Sequence, residues 1–168
     1  MTDTPATERD VDVLAAQLGR APRGIVAIAA RCACGNPTVV HTAPRLPDGT
    51  PFPTQYYLTH PDAVAAVSTL EANGAMRTMQ DRLGEDEALA TSYRAAHDRY
   101  LEERYALGDV PEIHGISAGG MPDRVKCLHV LVGHALAAGP GVNPFGDEAL
   151  ALIADVWRPD RCTCAVDV

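Results

Sequence analysis

Five cysteines and six histidines in 168 residues supply the soft donor atoms from which a metal site can be built. Cys32, His60, Cys127, His129 and His134 are the candidates, with at most four of the five expected around one ion. Zinc takes four such ligands, with Zn–S of about 2.3 Å and Zn–N of about 2.0 Å. The spacing is not that of a zinc finger, because the chain has no C-x2-C pair. On a helix, Cys127 and His134 would lie about 10.5 Å apart along the axis, and Cys127 and His129 would point about 200° apart. The competing reading makes Cys127 a small buried hydrophobe and the two histidines satisfied core residues.

A second constellation is the glycine-rich run from Ile116 to Lys126, ISAGGMPDRVK. Flexible backbone leading into a helix start exposes N–H groups that attract phosphate or carboxylate. Ser117, Gly119, Gly120, Arg124 and Lys126 are therefore candidates to hold an anionic small molecule. Lys126 is the one lysine beside thirteen arginines, and its ammonium is a compact phosphate clamp or, when desolvated, a nucleophile. Pro122 removes a donor, Asp123 adds a repelling charge, and the pattern is not a P-loop, so a tight turn that needs glycine competes with this reading. His97 with Asp98 and Glu112 with His114 are adjacent pairs, and neighbours in sequence rarely face each other on a helix. Ser117 lacks the surroundings of a nucleophile elbow. Cys162 and Cys164, in a tail expected to be mobile, are set aside as catalytic.

These residues need elements to position them. Val11, Leu14, Ala15 and Leu18 give Asp10–Leu18 the one-sided spacing of a short helix, stopped by Gly19 and Pro22. Ile25–Ala30, Thr38–Thr42 and Gln55–Leu58 are strands, the last two separated by the turn Pro47-Asp48-Gly49-Thr50, and an antiparallel meander is their economical arrangement. Pro44, Pro47, Pro51 and Pro53 brace the connection, whose aromatics, Phe52, Tyr56 and Tyr57, are read as anchors of the sheet, with a rigid lip over a pocket as the competing reading. Thr59-His60-Pro61 opens a helix that runs to Asn73-Gly74. Further helices are expected over Met76–Leu83, Glu87–Leu107, Pro122–Ala138 and Asp147–Val156. Pro122–Ala138 is apolar nearly all round, the mark of a central, buried helix. The expected fold is α+β: a three-stranded sheet against five to six helices, with residues 1–9 a disordered lead, 10–157 one domain and 158–168 a loose tail.

The motifs RCACGNP from Arg31, DGTPFPT from Asp48, YLTHP from Tyr57 and KCLH from Lys126, continued to His134, resemble those of domain-of-unknown-function family 501. The chain looks like an actinobacterial-type member, and the likeness spans roughly residues 18–154. It implies no activity. It does imply that Cys can stand where this chain has His60, an exchange natural to soft metal ligands, and that Cys32 is more general than Cys34. The Cys162–Cys164 tail lies outside it.

A net charge of −8 without a basic run excludes a nucleic-acid footprint or an anionic membrane surface. No basic, apolar leader is visible, and no apolar run approaches the roughly 20 residues of a spanning helix. An odd cysteine count rules out a complete disulfide framework. A cytoplasmic, zinc-binding domain is therefore the expected function. If the ion keeps an open position it can activate water against an anionic substrate; if all ligands are protein groups it is a staple. The alternatives are a metal-free adaptor, using the exposed face of Glu87–Leu107, and a metal-free phosphate or nucleotide sensor at Ser117–Lys126. Shared ligation requires the donors of Cys32, His60 and Cys127 to lie within about 4 Å of one another.

Overall fold

The computed structural model describes residues 3–161 and residue 164. Its elements run α1 (Glu8–Leu18), β1 (Ile25–Arg31), β2 (Pro37–Thr42), β3 (Tyr56–Leu58), α2 (Pro61–Ala72), α3 (Ala75–Glu85), α4 (Glu87–Tyr105), α5 (Leu128–Ala138) and α6 (Pro144–Leu152), with 3-10 turns at Pro111–Ile113 and Pro159–Arg161. The strands form one antiparallel sheet in the order β1-β2-β3. Three strands and six helices make this the α+β fold that the periodicities imply.

Alternation along the strands gives each sheet face its own partner. Ile28 and Val40 point to one face and pack on Leu14 of α1. Ala29, Val39, Tyr56 and Leu58 point to the other and join the main core with α2 to α6. Helix α5 lies at the centre of that core, with Leu128, Leu131, Val132 and His134 all fully covered. Two glycines set its distances. A Cβ on Gly133 would stand 2.6 Å from the Tyr56 carbonyl oxygen, so α5 rests directly on β3. A Cβ on Gly146 would stand 2.2 Å from the Leu131 carbonyl oxygen, so α6 crosses α5 backbone to backbone.

Three boundaries depart from the periodicity. Helix α1 begins at Glu8 because Thr7 and Asp10 form a reciprocal capping box. The lead before it is held as well, since Thr4 and Ile28 exchange backbone hydrogen bonds of 3.0 and 2.8 Å. Helix α5 begins at Leu128 rather than Pro122: the Lys126 N–H returns to the Gly119 carbonyl at 2.8 Å, which closes a loop instead of extending a helical ladder. Helix α6 begins at Pro144, because Asn143 caps it by accepting from the Gly146 N–H at 2.9 Å. No helix among the described residues is long and apolar enough to cross a membrane.

Candidate metal centre

Strand β1 ends at Arg31, and the next residues turn sharply. The Gly35 N–H donates to the Cys32 carbonyl at 2.8 Å, while the Cys32 N–H donates to the Asn36 carbonyl at 3.1 Å. Gly35 takes a φ of +80° to close this turn, a conformation that costs other residues a Cβ clash. The turn leaves Cys32 buried and Cys34 exposed. His60 lies at the junction of β3 and α2, in the N-cap position, and is 2% exposed. Burial pushes its imidazole below the ordinary range, against the opposing pull of Asp62, so at neutral pH it carries a lone pair rather than a charge.

The third segment comes from the far end of the chain. The Ala33 N–H donates to the Pro159 carbonyl at 2.7 Å, which brings the C-terminal segment against the turn. Cys164 Sγ then lies 3.4 Å from Cys32 Sγ and 3.0 Å from His60 Nε2. The Cys164 N–H donates to Cys34 Sγ at 3.3 Å. The sulfur atoms of Cys32, Cys34 and Cys164 all lie within 4.8 Å of one another, a group that can hold a metal ion. The Trp157 indole, 4% exposed, closes one side against the His60 ring at 5.3 Å between centroids.

The structure brings Cys32 and His60 each to Cys164, with His60 outside the three-sulfur group, and leaves the other expected ligands elsewhere. Among the described residues Cys127 and His129 group with Glu71 of α2, not with Cys32. His134 is deep in the core, stacked on Tyr56 at 5.8 Å and edge-on to Tyr100 at 5.1 Å, with its Nδ1 3.2 Å from the Asn143 amide nitrogen. The sulfurs that group with Cys32 are instead those of Cys34 and Cys164. The signal for them is a repeated spacing: Cys32-Ala33-Cys34 and Cys162-Thr163-Cys164 are both C-x-C. Cys162 is outside the described residues.

The glycine-rich loop is a packed turn rather than a helix start. Its Arg124 and Lys126 N–H groups bond back to Gly120 and Gly119, and the Val125 N–H donates to Gln80 Oε1 at 2.8 Å. Gly120, at φ +94°, has no room for a side chain, since a Cβ would lie 2.6 Å from the Arg124 carbonyl oxygen. Ser117 is buried, with its hydroxyl 2.9 Å from His97 Nδ1 and 3.2 Å from the Met121 carbonyl. The side chains of Arg124 and Lys126 point outward. His114 pairs with Asp109 at 3.0 Å and Glu112 with Arg45 at 2.6 Å, both on the surface.

The α+β fold brings the sulfurs of Cys32, Cys34 and Cys164 into one group that could hold a metal ion, with His60 beside Cys164. The family model described as "Protein of unknown function (DUF501)" matches residues 28–151, and the chain belongs to that family. The matched segment contains Cys32, Cys34 and His60 and stops short of Trp157 and Cys164. No curated protein and no solved structure matches the chain.

Proposed function

We propose that this protein binds one zinc ion through Cys32, Cys34, Cys164 and His60, and that the ion fastens the C-terminal segment to the β1–β2 turn and the start of α2. The supporting observation is the approach of Cys164 Sγ to Cys32 Sγ at 3.4 Å and to His60 Nε2 at 3.0 Å. Tetrahedral ligands at zinc bond lengths stand about 3.5–3.8 Å apart; the three sulfurs lie within 4.8 Å of one another, and His60, already 3.0 Å from Cys164 Sγ, would swing in to complete the set. Three thiolates around one point would repel one another without a central cation, and thiolate with imidazole selects zinc over calcium or magnesium. Three sulfurs and one nitrogen fill four positions, which makes the ion a staple rather than a Lewis acid with an open site. Elemental analysis of purified protein tests this. About one equivalent of zinc is expected, lost in Cys32→Ser and in His60→Ala and kept in Cys127→Ser. Metal-free wild-type protein would sink the proposal.

One observation favours a second role. Arg77, Arg124 and Lys126 line an open cleft of about 540 Å³ beside Gln80, and the one acid there, Asp123, is 3.2 Å from Arg94. A small anion such as phosphate suits three cations on one surface. Thermal stabilisation by inorganic phosphate, abolished in Lys126→Ala, is the expected result; an unchanged melting curve removes the reading.

A further inference from the structure

We propose that Cys127 is a nucleophile, held as a thiolate beside the His129 imidazolium, that accepts acyl groups from activated esters entering the cleft between β3 and α2. The site is separate from the metal centre, and its failure would leave that centre untouched. Cys127 sits at the N-cap of α5, His129 two residues on, and Glu71 reaches across from α2. One donor atom from each lies within 4.8 Å of the other two.

The hydrogen bonds determine the charge of the imidazole. Glu71 Oε1 accepts from the Leu128 N–H at 2.6 Å and lies 3.2 Å from His129 Nδ1. His129 Nε2 lies 3.2 Å from the Val64 carbonyl oxygen and 3.2 Å from Ser68 Oγ. A carboxylate and a carbonyl only accept, while Ser68 Oγ can do either, so the doubly protonated ring is the form that satisfies all three contacts. In that form the ring offers no lone pair to a metal, and a cation stands beside the sulfur. The imidazole is accordingly raised to about 9, chiefly by Cys127 and despite burial. Burial pushes the Cys127 thiol up, but His129 and the Val130 N–H outweigh it and bring the thiol below its ordinary value.

Cys127 and His129 line a cleft of about 640 Å³ whose walls include Leu18, Tyr57, Leu58, Val64 and Val130. Such walls suit an apolar acyl chain. In the reaction, the Cys127 thiolate attacks the ester carbonyl carbon and a C–S bond forms. The C–O bond to the leaving group breaks; a basic alkoxide takes the imidazolium proton and leaves as the alcohol, whereas a weakly basic phenolate leaves as the anion and His129 keeps its proton. S-acyl Cys127 and the free alcohol or phenolate remain.

The probe is p-nitrophenyl hexanoate with zinc-loaded, full-length protein. The expected result is a burst of p-nitrophenolate of about one equivalent, with the added mass on the peptide that contains Cys127 and no burst in Cys127→Ser. In His129→Gln, acylation at pH 7 should slow about tenfold as the thiolate fraction falls. A burst kept by Cys127→Ser, an adduct confined to other cysteines, or no adduct at all overturns the proposal. A wild-type measurement covers the case in which His129→Gln does not fold. The pH profile of iodoacetamide alkylation at Cys127, read by peptide mapping, should titrate below the ordinary thiol value of about 8.5; titration at or above it also overturns the proposal.

Discussion

The Trp157 ring stands 5.3 Å from the His60 ring, and His60 Nε2 stands 3.0 Å from the sulfur of Cys164, 104 residues further along the chain. The only tryptophan of the protein thus borders the proposed metal centre and reports on it.

Removing the metal should loosen the C-terminal segment. Cys32 and Cys164 are 132 residues apart, and an ion bridging them closes a loop as a cross-link does. By that comparison its loss costs about 5 kcal/mol, or about 10–20 °C in Tm for a chain of this size. Strong chelators should lower the melting temperature by that order, red-shift Trp157 emission, and open the bond after Arg161 to trypsin. Identical emission and digestion with and without chelator would refute the staple.

The pair Asp10 and Arg31 ties α1 to β1. Asp10 is 2% exposed, accepts from both Arg31 terminal nitrogens at 2.6 and 2.9 Å, and completes the α1 capping box. The Arg31 hydrogen bonds hold its carboxyl well below the ordinary 3.8, although burial works the other way. A depressed folded value means that the stabilisation is full above the ordinary range and fades as pH falls through the folded value. Asp10→Asn should therefore destabilise the protein by about 2 kcal/mol at pH 7, the loss of a charge-assisted pair with one partner partly exposed. The difference from wild type should shrink towards pH 2 in urea unfolding. A constant difference across that range would show that the charge contributes nothing.

The contact of Gly146 with Leu131 makes a sharper packing prediction. The atom that a Cβ would strike at 2.2 Å is a backbone oxygen, which cannot rotate away. Gly146→Ala must push α6 off α5, at a cost of about 2–3 kcal/mol from strain and lost packing in the adjoining core. The usual helix-propensity gain of alanine, about 1 kcal/mol, is outweighed. A stabilised variant would mean that the two helices have room to separate.

Much of this architecture was legible in local patterns, because β-branched runs, proline starts and glycine stops act over a few residues. The apolar circumference of α5 similarly marked it as central. The approach of Cys32 and His60 to a shared neighbourhood was legible because a strand end and a helix start are points where distant segments meet. Cys164 was not, since its place depends on the Ala33–Pro159 hydrogen bond, a long-range contact with no local signature. The 200° separation of Cys127 and His129 presupposed a helix through both residues. Cys127 instead adopts an extended φ of −151° at the N-cap, which lets its thiol stay near the imidazole. The missing turn of helix follows from closure of the loop between Gly119 and Lys126, again a contact that periodicity does not encode.

His134 gives the last test, on pH dependence. Its ring is wholly covered, and Asn143 is placed to donate to Nδ1, so the proton is on Nε2, which has no hydrogen-bond acceptor among the described residues. Desolvation drives its value from 6.5 down to about 4, with Glu103 pulling it up and Arg99 pushing it down. The unfolded chain takes up a proton near pH 6.5 that the folded chain refuses until about pH 4. Acidification through that window therefore draws the equilibrium towards the unfolded state, by up to about 3 kcal/mol. His134→Gln keeps an oxygen to accept from Asn143 and removes the titration. In urea unfolding at pH 7, 5.5 and 4, wild type should lose about 3 kcal/mol more than the variant, while groups common to both cancel. Parallel curves would mean that the folded core accommodates the charged imidazole, through a counter-charge or water that this packing does not provide.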